Sequence, residues 1–453
     1  MTASRDERRR TKDEGRRTKR VVVRPSSFAA LIVIAYLVIG ALYAVKTPAW
    51  QVPDEPAHYN YVRFVAEGRG LPVLQPGDYD QAYLERIKAA RFPPAMPIDS
   101  IRYESWQPPL YYILAAPIYL ASGGSLLALR LFSVALGGLV VLLAFLIVCR
   151  LGPNSPVLAL GAAAFVAFVP QHVAMMAGAQ NDSLAELLLA LIIWQISNLQ
   201  SPISNLKWMT VGVLLGLGLL TKGTVYVAVP LVAAAIWLRT MNHPGSNRAT
   251  WILKSGGLAF IPALVIALPW WIRNVVVYGW PDFLASIRHD AVVAGQPTPA
   301  EWISKFGLGE YLRQYVVTTF HSFWGQFGWM GVPMNDRYYA ILAAVSMVAF
   351  IGFVWSLKSL ISNPKGRFLM LGLWILFTLG IYVAYNFKYV QFQGRYLYPA
   401  LVPIGLAFTI GLRQWTTLLP RGWRNTALAM PFVGLAALCL VALFRMIVPM
   451  LSP

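Results

Sequence analysis

Two adjacent carboxylates, Asp54 and Glu55, follow the first long apolar run of the chain, in a Pro-Asp-Glu-Pro-Ala-His-Tyr segment that begins at Pro53. Acidic residues are scarce, 19 in 453, so an acidic pair here calls for an explanation. A carboxylate at this position can act as a general base or orient a hydroxyl group. Alternatively, both acids lie near the start of a helix over 57–67, where the helix dipole favours negative charge. The residue types leave both interpretations open.

A third acid, Asp182, lies in a short Asn-Asp-Ser turn between two apolar runs. If those runs cross a membrane, an ionisable residue at the boundary is by default a functional candidate. The alternative is helix capping, because Ser183 and Glu186 have the spacing of a capping box. The two interpretations have about equal weight.

Three cations, Lys222, Arg273 and Arg395, each lie at the end of an apolar run. Together they can bind an anion such as a lipid phosphate. The alternative for each is a snorkelling side chain that keeps its charge in the interface. The aromatic residues near 106 and 321–329 suit either sugar stacking or an interfacial belt.

The sequence gives little support for a metal or a nucleotide. His58 is four residues after Asp54, but two groups do not make a metal site, and Cys149 and Cys439 have no ligand spacing. The Thr-Lys-Gly turn at Lys222 lacks the upstream glycine of an ATPase phosphate loop. We therefore expect no obligatory cofactor; a divalent metal is compatible with the sequence but not favoured.

The elements that carry these residues are membrane helices. Hydrophobic residues make up 57% of the chain, charged residues 13%, and the mean hydropathy is +0.55. Soluble domains carry about 25% charged residues, and the apolar runs approach the ~20 residues that a spanning helix needs. Continuous runs favour helices over a membrane barrel, whose strands alternate. The sequence predicts an all-α polytopic membrane protein.

The net charge of +19 does not indicate nucleic-acid binding. Basic residues are concentrated in a tail over 1–26, directly before the first span, as the positive-inside rule expects of a cytoplasmic flank. Basic loops at 239–254, 358–367 and 413–424 are assigned to the same side. The long polar segments 47–107 and 273–337 then lie outside, in a plasma (inner) membrane. The acids beyond the tail also fall on the outer side, with the side of Glu186 left open.

This sidedness requires that residues 109–121 dip into the membrane without crossing, which gives about eleven crossings (10–13). The expected organisation is a cytoplasmic tail (1–26), a catalytic membrane module (27–275) that includes an outer loop over 48–107 with juxtamembrane helices, a second outer loop (276–336), and C-terminal membrane helices (337–453).

The sequence resembles the GT-C glycosyltransferases, polytopic enzymes that use polyprenyl-phosphate sugars, and especially the protein O-mannosyltransferase and lipid A aminoarabinose transferase branch. The similarity covers roughly residues 28–275, and the order and spacing of the motifs are more specific than any one of them. The matching segments are Pro-Asp-Glu-Pro-Ala-His-Tyr from Pro53, Gln-Pro-Pro-Leu-Tyr-Tyr from Gln107, the stretch from Ala128 to Asp182, Leu-Leu-Thr-Lys-Gly from Leu219, and Gly-Arg-Tyr-Leu-Tyr-Pro from Gly394.

The resemblance implies that a sugar moves, with inversion, from a polyprenyl phosphate to an acceptor hydroxyl at the outer face. Asp54 would be the base, and Asp182 and Glu55 would assist it. Lys222, Arg273 and Arg395 would stabilise the departing phosphate. Substrate binding is also expected of His58, Tyr59, Gln107 and Tyr396.

The expected partners are the polyprenyl-phosphate sugar, membrane lipid, and a glycan, lipid or protein acceptor. No large polar domain follows Arg337, which favours a glycan or lipid-linked acceptor. Two alternatives remain. A transporter or flippase of an amphiphilic lipid would carry charges along a path through the bilayer, and a catalytically silent relative would act as a membrane scaffold.

Overall fold

The computed structural model describes residues 25–152, 155–197, 204–242, 247–361 and 367–452, most of which are helical. The basic tail lies outside the described residues except for its last two positions, and so does part of the basic loop at 358–367. In chain order the α-helices are α1 (Pro25–Lys46), α2 (Glu55–Ala66), α3 (Gln81–Ala89), α4 (Leu110–Ala121), α5 (Leu126–Leu151), α6 (Pro156–Phe168), α7 (Pro170–Met176), α8 (Asp182–Ile196), α9 (Asn205–Leu219), α10 (Ala228–Asn242), α11 (Arg248–Tyr278), α12 (Ser286–Val292), α13 (Pro299–Phe306), α14 (Leu308–Trp324), α15 (Asp336–Ile361), α16 (Arg367–Lys388), α17 (Leu401–Thr416), α18 (Arg424–Ala442) and α19 (Val448–Leu451).

Short irregular elements complete the fold. The 3-10 turns Gly223–Val227 and Gly394–Ala400 precede α10 and α17, and a π-helical turn, Leu443–Ile447, joins α18 to α19. Strands β1 (Gln326–Phe327) and β2 (Val332–Pro333) form a two-residue antiparallel hairpin.

Eight of the described helical segments are long and apolar enough to cross a membrane, and the bent pair α6–α7 makes a ninth if it counts as one span. The two further segments in the prediction of eleven crossings are α8 and α9, with 15 residues each. Such helices are about 22 Å long, shorter than the ~30 Å hydrocarbon core. The all-α polytopic fold class is confirmed, and the number eleven stays a prediction.

Helix α4, which corresponds to the predicted non-crossing segment, has both ends at the same side of the bundle. At its start the Leu110 amide donates to the Leu220 carbonyl at the end of α9. Just past its end the Gly124 carbonyl accepts from the Tyr59 hydroxyl of α2. This arrangement fits a segment that enters and leaves at one face.

The bundle core contains close helix contacts made by small residues. A side chain at Gly212 of α9 would clash with the backbone of α11 at Ala259, and one at Gly411 of α17 would clash with α15 at Ala349. Small residues allow such backbone approach in membrane proteins, where dispersion replaces the hydrophobic effect between helices. These contacts fix α9 and α17, whose neighbouring turns carry Lys222 and Arg395.

The polar loop over 48–107, called the first outer loop after its predicted location as residues 276–336 are called the second, folds onto this bundle through the predicted amphipathic segments, which form α2 and α3. Helix α2 begins at Glu55, two residues before the expected start at Ala57. It packs against α4 through Tyr61, whose ring stacks on Tyr112 with centroids 3.6 Å apart. The beginning of α2 is thereby held at the end of the bundle.

Candidate active site

A cavity of about 260 Å³ lies where the first outer loop, the second outer loop and the helix ends meet. Its walls are polar and aromatic, and they come from the whole length of the chain. The ionisable groups are Asp54, His58, Glu104, Asp182, Glu186, Lys222, His289 and Arg395, and the aromatic groups are Trp106, Tyr382, Tyr385, Tyr396 and Tyr398. The expected catalytic module, residues 27–275, therefore supplies only part of the wall.

Asp54 reaches the cavity because its backbone is left-handed, with φ 68° at the residue before α2. This conformation is uncommon outside glycine, although Asp and Asn tolerate it better than most residues. One carboxylate oxygen accepts from the Tyr103 hydroxyl at 2.8 Å, and the other accepts from the Arg395 guanidinium at 2.9 Å. Burial alone would raise the pKa of Asp54, but Arg395, followed by His58 and the Tyr103 bond, holds that pKa below its usual value.

Asp182 forms the second acid–cation pair of the cavity. Its carboxylate lies 2.7 Å from the Lys222 ammonium group. The turn before it is held by Asn181, whose side-chain amide donates to Gln107 and to the Thr221 carbonyl. The capping-box alternative is wrong: Asn181 precedes the helix without a side-chain cap. The Ser183 hydroxyl donates to Gln180 instead.

Glu55 points away from the cavity although it is adjacent to Asp54. Its fully buried carboxylate binds Arg130 of α5 at 2.6 and 2.7 Å and accepts from the amides of Trp50 and Ala179. Arg130 also donates to the carbonyls of residues 44, 47 and 48 at the end of α1. The geometry gives Glu55 a structural position, joining α1, α2 and α5, rather than contact with a substrate.

The remaining predicted residues divide into two groups. His58, Gln107 and Tyr396 line the cavity, and burial lowers the pKa of His58 to about 3, so its ring is neutral at pH 7. Tyr59 and Arg273 do not line it. Tyr59 contacts the turn after α4. Arg273 donates to the Pro72 carbonyl and lies over the Trp270 ring, so it attaches the first outer loop to α11.

Two further cavity residues are Glu104, which the sequence did not single out, and Trp106, for which the sequence left sugar stacking and an interfacial belt open. Burial, and then the nearby Asp54 carboxylate, raise the pKa of Glu104 to about 7. Glu104 Oε2 and Trp106 Nε1 are buried and have no hydrogen-bond partner among the described residues. The Trp106 ring lies against the ring of His289 in α12, with centroids 4.6 Å apart. In the sequence, Glu104 is one of several acids in a polar loop, so no signal distinguishes it.

Glu186 belongs to a further buried pair. Its carboxylate lies 3.0 Å from His172 Nε2, and His172 Nδ1 contacts the Val166 carbonyl at 2.7 Å. A carbonyl oxygen only accepts, so the Nδ1 atom of His172 carries a proton. The contact between His172 Nε2 and the Glu186 carboxylate then holds one further proton, bonded to either partner. Within the described residues, no group of three His, Cys, Asp or Glu side chains is arranged to hold a metal ion.

Part of the chain is similar to a known protein family. A family model described as dolichyl-phosphate-mannose-protein mannosyltransferase matches residues 106–272. An undecaprenyl phosphate-alpha-4-amino-4-deoxy-L-arabinose arabinosyl transferase from Pseudomonas savastanoi pv. phaseolicola is 26% identical over 350 residues, which is 74% of this chain and 57% of the relative. The chain thus spans little more than half the length of that relative.

Solved structures share the fold. ArnT from Cupriavidus metallidurans bound to undecaprenyl phosphate matches with a TM-score of 0.50 at 15% identity, over 94% of this chain and 73% of ArnT. The Archaeoglobus fulgidus oligosaccharyltransferase tethered with an acceptor peptide matches with a TM-score of 0.51 at 13% identity, over 92% of this chain and 54% of that protein. This chain therefore shares the overall fold of these two proteins. The family-model match includes Asp182 and Lys222, whereas Asp54 and Arg395 lie outside it.

Proposed function

We propose that this protein is a GT-C glycosyltransferase that transfers a sugar from a polyprenyl-phosphate donor to an acceptor hydroxyl at the extracytoplasmic face of the membrane. The observation that carries the proposal is the pairing of two acids with two cations, Asp54 with Arg395 and Asp182 with Lys222, in one cavity. The arabinosyl transferase relative is named for undecaprenyl phosphate, and the ArnT structure has undecaprenyl phosphate bound. That lipid class is therefore the proposed donor carrier.

Arg395 and Lys222 are the proposed binding groups for the donor phosphate. Arg395 uses one terminal nitrogen for Asp54, and its buried Nε has no partner in the described part of the chain. Lys222 has three ammonium protons, one of which is donated to the Asp182 carboxylate. Both cations therefore keep donors for a phosphate oxygen while they remain beside the acids. Charge-assisted bonds of this kind stabilise a leaving phosphate.

Asp54 is the proposed base. The acceptor oxygen attacks the anomeric carbon from the face opposite the phosphate, the carbon–oxygen bond to the phosphate breaks, and the acceptor proton moves to Asp54. The product is inverted at the anomeric carbon. When the donor phosphate shares Arg395, that cation stabilises the Asp54 carboxylate less, so the pKa of Asp54 rises toward a value useful for a base. Asp182 orients Lys222 and the acceptor.

The remaining expectations form part of the same proposal. The N-terminus is cytoplasmic, the cavity opens on the outer side, and residues 27–275 form the catalytic membrane module, to which the C-terminal membrane helices (337–453) add Arg395. The acceptor is a glycan, lipid or protein hydroxyl. The protein needs no nucleotide and no obligatory metal.

Asp54→Asn tests this proposal with little disturbance of the backbone, because Asn tolerates left-handed φ as well as Asp. We expect sugar transfer by the reconstituted protein, from a panel of undecaprenyl-phosphate sugars, to fall at least ~100-fold, the scale of a lost general base. Asp99→Asn is the matched control, since Asp99 is an exposed acid in the same loop. Transfer by Asp54→Asn at the wild-type rate contradicts the assignment of the base. Movement of the intact donor across the bilayer without transfer indicates a transporter instead.

A further inference from the structure

Glu104 and Trp106 both line the cavity, and each has a buried polar atom without a hydrogen-bond partner in the part of the chain that the structure describes. Glu104 is 9% exposed, and its unpaired atom is Oε2. The unpaired atom of Trp106 is the indole Nε1. Leaving such buried groups unpaired is unfavourable. The pair therefore leaves one acceptor and one donor of the cavity lining without a partner.

The chemistry of the pair selects the kind of ligand. A carboxyl oxygen repels phosphate, and the cavity already has Lys222 and Arg395 for an anion. An apolar chain would leave both polar atoms unpaired. A sugar ring offers hydroxyl groups that donate to Glu104 and oxygens that accept from Trp106, and an indole beside a carboxyl group suits such a ring.

The position of the pair is fixed from both outer loops. Residues 104 and 106 belong to the first loop, and the Trp106 ring lies against His289 in α12 of the second loop. His289 contacts Asp290, and Asp290 is paired with Lys388 at the end of α16. The indole is thus held by the second loop rather than free to turn away, which preorganises the site.

We propose that Glu104 and Trp106 form a subsite that binds a hydroxyl-bearing sugar ring, with Glu104 accepting from a ring hydroxyl and Trp106 donating to a ring oxygen. This inference rests on the proposed function, which it extends from the reacting groups to the recognition of the sugar. The ring belongs either to the donor or to the acceptor, and the recognising chemistry is the same for both.

The test compares binding of sugar-bearing and sugar-free lipid to the full-length protein in nanodiscs. The probes are undecaprenyl phosphate, undecaprenyl phosphate carrying glucose, mannose or 4-amino-4-deoxyarabinose, and the free methyl glycosides of the same sugars. The variants are Glu104→Leu, which removes the acceptor, Glu104→Gln, which keeps an acceptor oxygen, and Trp106→Phe, which keeps the ring without its N–H. The controls are Glu85→Gln and Trp280→Phe, because both side chains are exposed.

We expect the wild type to bind at least one sugar-bearing probe more tightly than undecaprenyl phosphate. Glu104→Leu and Trp106→Phe should each reduce that advantage about tenfold, the scale of one hydrogen bond to a buried group. Glu104→Gln should retain part of it. The Kd for undecaprenyl phosphate should stay within about twofold in every variant. A loss confined to the lipid-linked probes assigns the ring to the donor, and a loss confined to the methyl glycosides assigns it to the acceptor.

Three outcomes overturn the inference. In the first, the wild type shows no sugar-dependent affinity for any probe. In the second, the variants keep the full sugar-dependent affinity of the wild type, as expected if ordered water satisfies both atoms. In the third, the variants lose affinity for undecaprenyl phosphate to the same extent, as expected if the two side chains only maintain the shape of the cavity. Sugar-dependent binding without any sugar transfer contradicts the proposed function and leaves the subsite supported.

Discussion

At the scale of single residues, the cavity holds two carboxyl groups with opposite environments. Asp54 faces Arg395, and its pKa lies below the usual value. Glu104 is buried beside Asp54 with one oxygen unpaired, and its pKa is raised to about 7. Lys222 and His289 act against this increase in the pKa of Glu104 but do not cancel it. Environments that separate the pKa values of two acids in this way are typical of sites where one group is ionised and the other can hold a proton.

Glu104 should make the stability of the protein depend on pH. Between the unfolded pKa of about 4.5 and the folded pKa of about 7, the folded state binds more protons, so the free energy of unfolding falls as pH rises through this window. Above pH 7 the free energy of unfolding is lower by on the order of 3 kcal/mol, since one pKa unit corresponds to about 1.4 kcal/mol. The Glu104→Gln variant has no ionisable group at this position, so it does not lose this stability. We expect the variant to gain thermal stability over wild type at pH 8 but not at pH 4.5; an equal difference at both pH values contradicts the assignment.

The residue types Asp54 and Glu55 predicted an acidic site but could not distinguish the two acids. Which carboxylate faces the cavity is decided by the left-handed backbone at Asp54 and by Arg130, 75 residues from Glu55. Neither is visible in a local pattern. The resemblance ranked Asp54 first, and its catalytic role stays a prediction; the structure places Asp54 in the cavity wall. Glu104 was missed because its burial comes from the folding of the whole loop onto the bundle.

At the scale of elements, the Glu55–Arg130 pair joins three helices and thereby positions Asp54. Arg130 in the second turn of α5 also satisfies carbonyl groups at the end of α1, so one guanidinium connects α1, α2 and α5. Both side chains are almost completely buried. A pair like this contributes little net stability compared with apolar residues, but removing one partner leaves a buried charge alone.

Glu55→Gln should therefore destabilise the protein by about 3–5 kcal/mol, measured as a lower midpoint of thermal unfolding in detergent. Arg130→Met should lower the midpoint of thermal unfolding at least as far, because it also leaves three carbonyl groups without their hydrogen-bond donor. Glu85→Gln is the control, since it breaks an exposed pair with Lys88 that is worth at most ~1 kcal/mol. Unfolding of Glu55→Gln at the wild-type temperature would mean that the pair does not hold these helices together.

The apolar run at 157–177 illustrates what hydropathy could and could not predict. The run was expected as one segment, and it is helical, but it bends by 64° at Val169. Val169 is extended because Pro170 disfavours a helical residue before it. The bend directs α7 to the cavity, where His172 meets Glu186. Hydropathy locates such a segment, whereas the direction of its second half depends on packing.

At the scale of the whole molecule, the acids beyond the tail lie at the end of the bundle that carries the cavity, and basic residues such as Arg413 and Arg424 lie at the far ends of α17 and α18. Helix α4 begins and ends on one side, as the predicted sidedness requires. The location of the acids on the outer side of a membrane stays a prediction, and the structure adds their individual partners, which the charge inventory could not give.

Cysteine labelling tests the orientation across the membrane. In a variant with Cys149→Ala and Cys439→Ala, single cysteines replace Glu85 in the first outer loop or Arg421 between α17 and α18; both residues are exposed. We expect a membrane-impermeant maleimide to label intact cells at position 85 and inverted vesicles at position 421. The reverse pattern would place the cavity in the cytoplasm and contradict the proposed function.

The Asp54–Arg395 pair also has a consequence for how the protein is made. Its two residues are 341 positions apart, and at synthesis rates of about 5–20 residues per second the second partner is translated tens of seconds after the first. Until then Asp54 lacks this counter-ion, and of the two cations proposed to bind the donor phosphate only Lys222 has been made. Under the proposed function, a nascent chain without Arg395 therefore has an incomplete site for lipid-linked sugar, and the site is complete only after Arg395 has been synthesised.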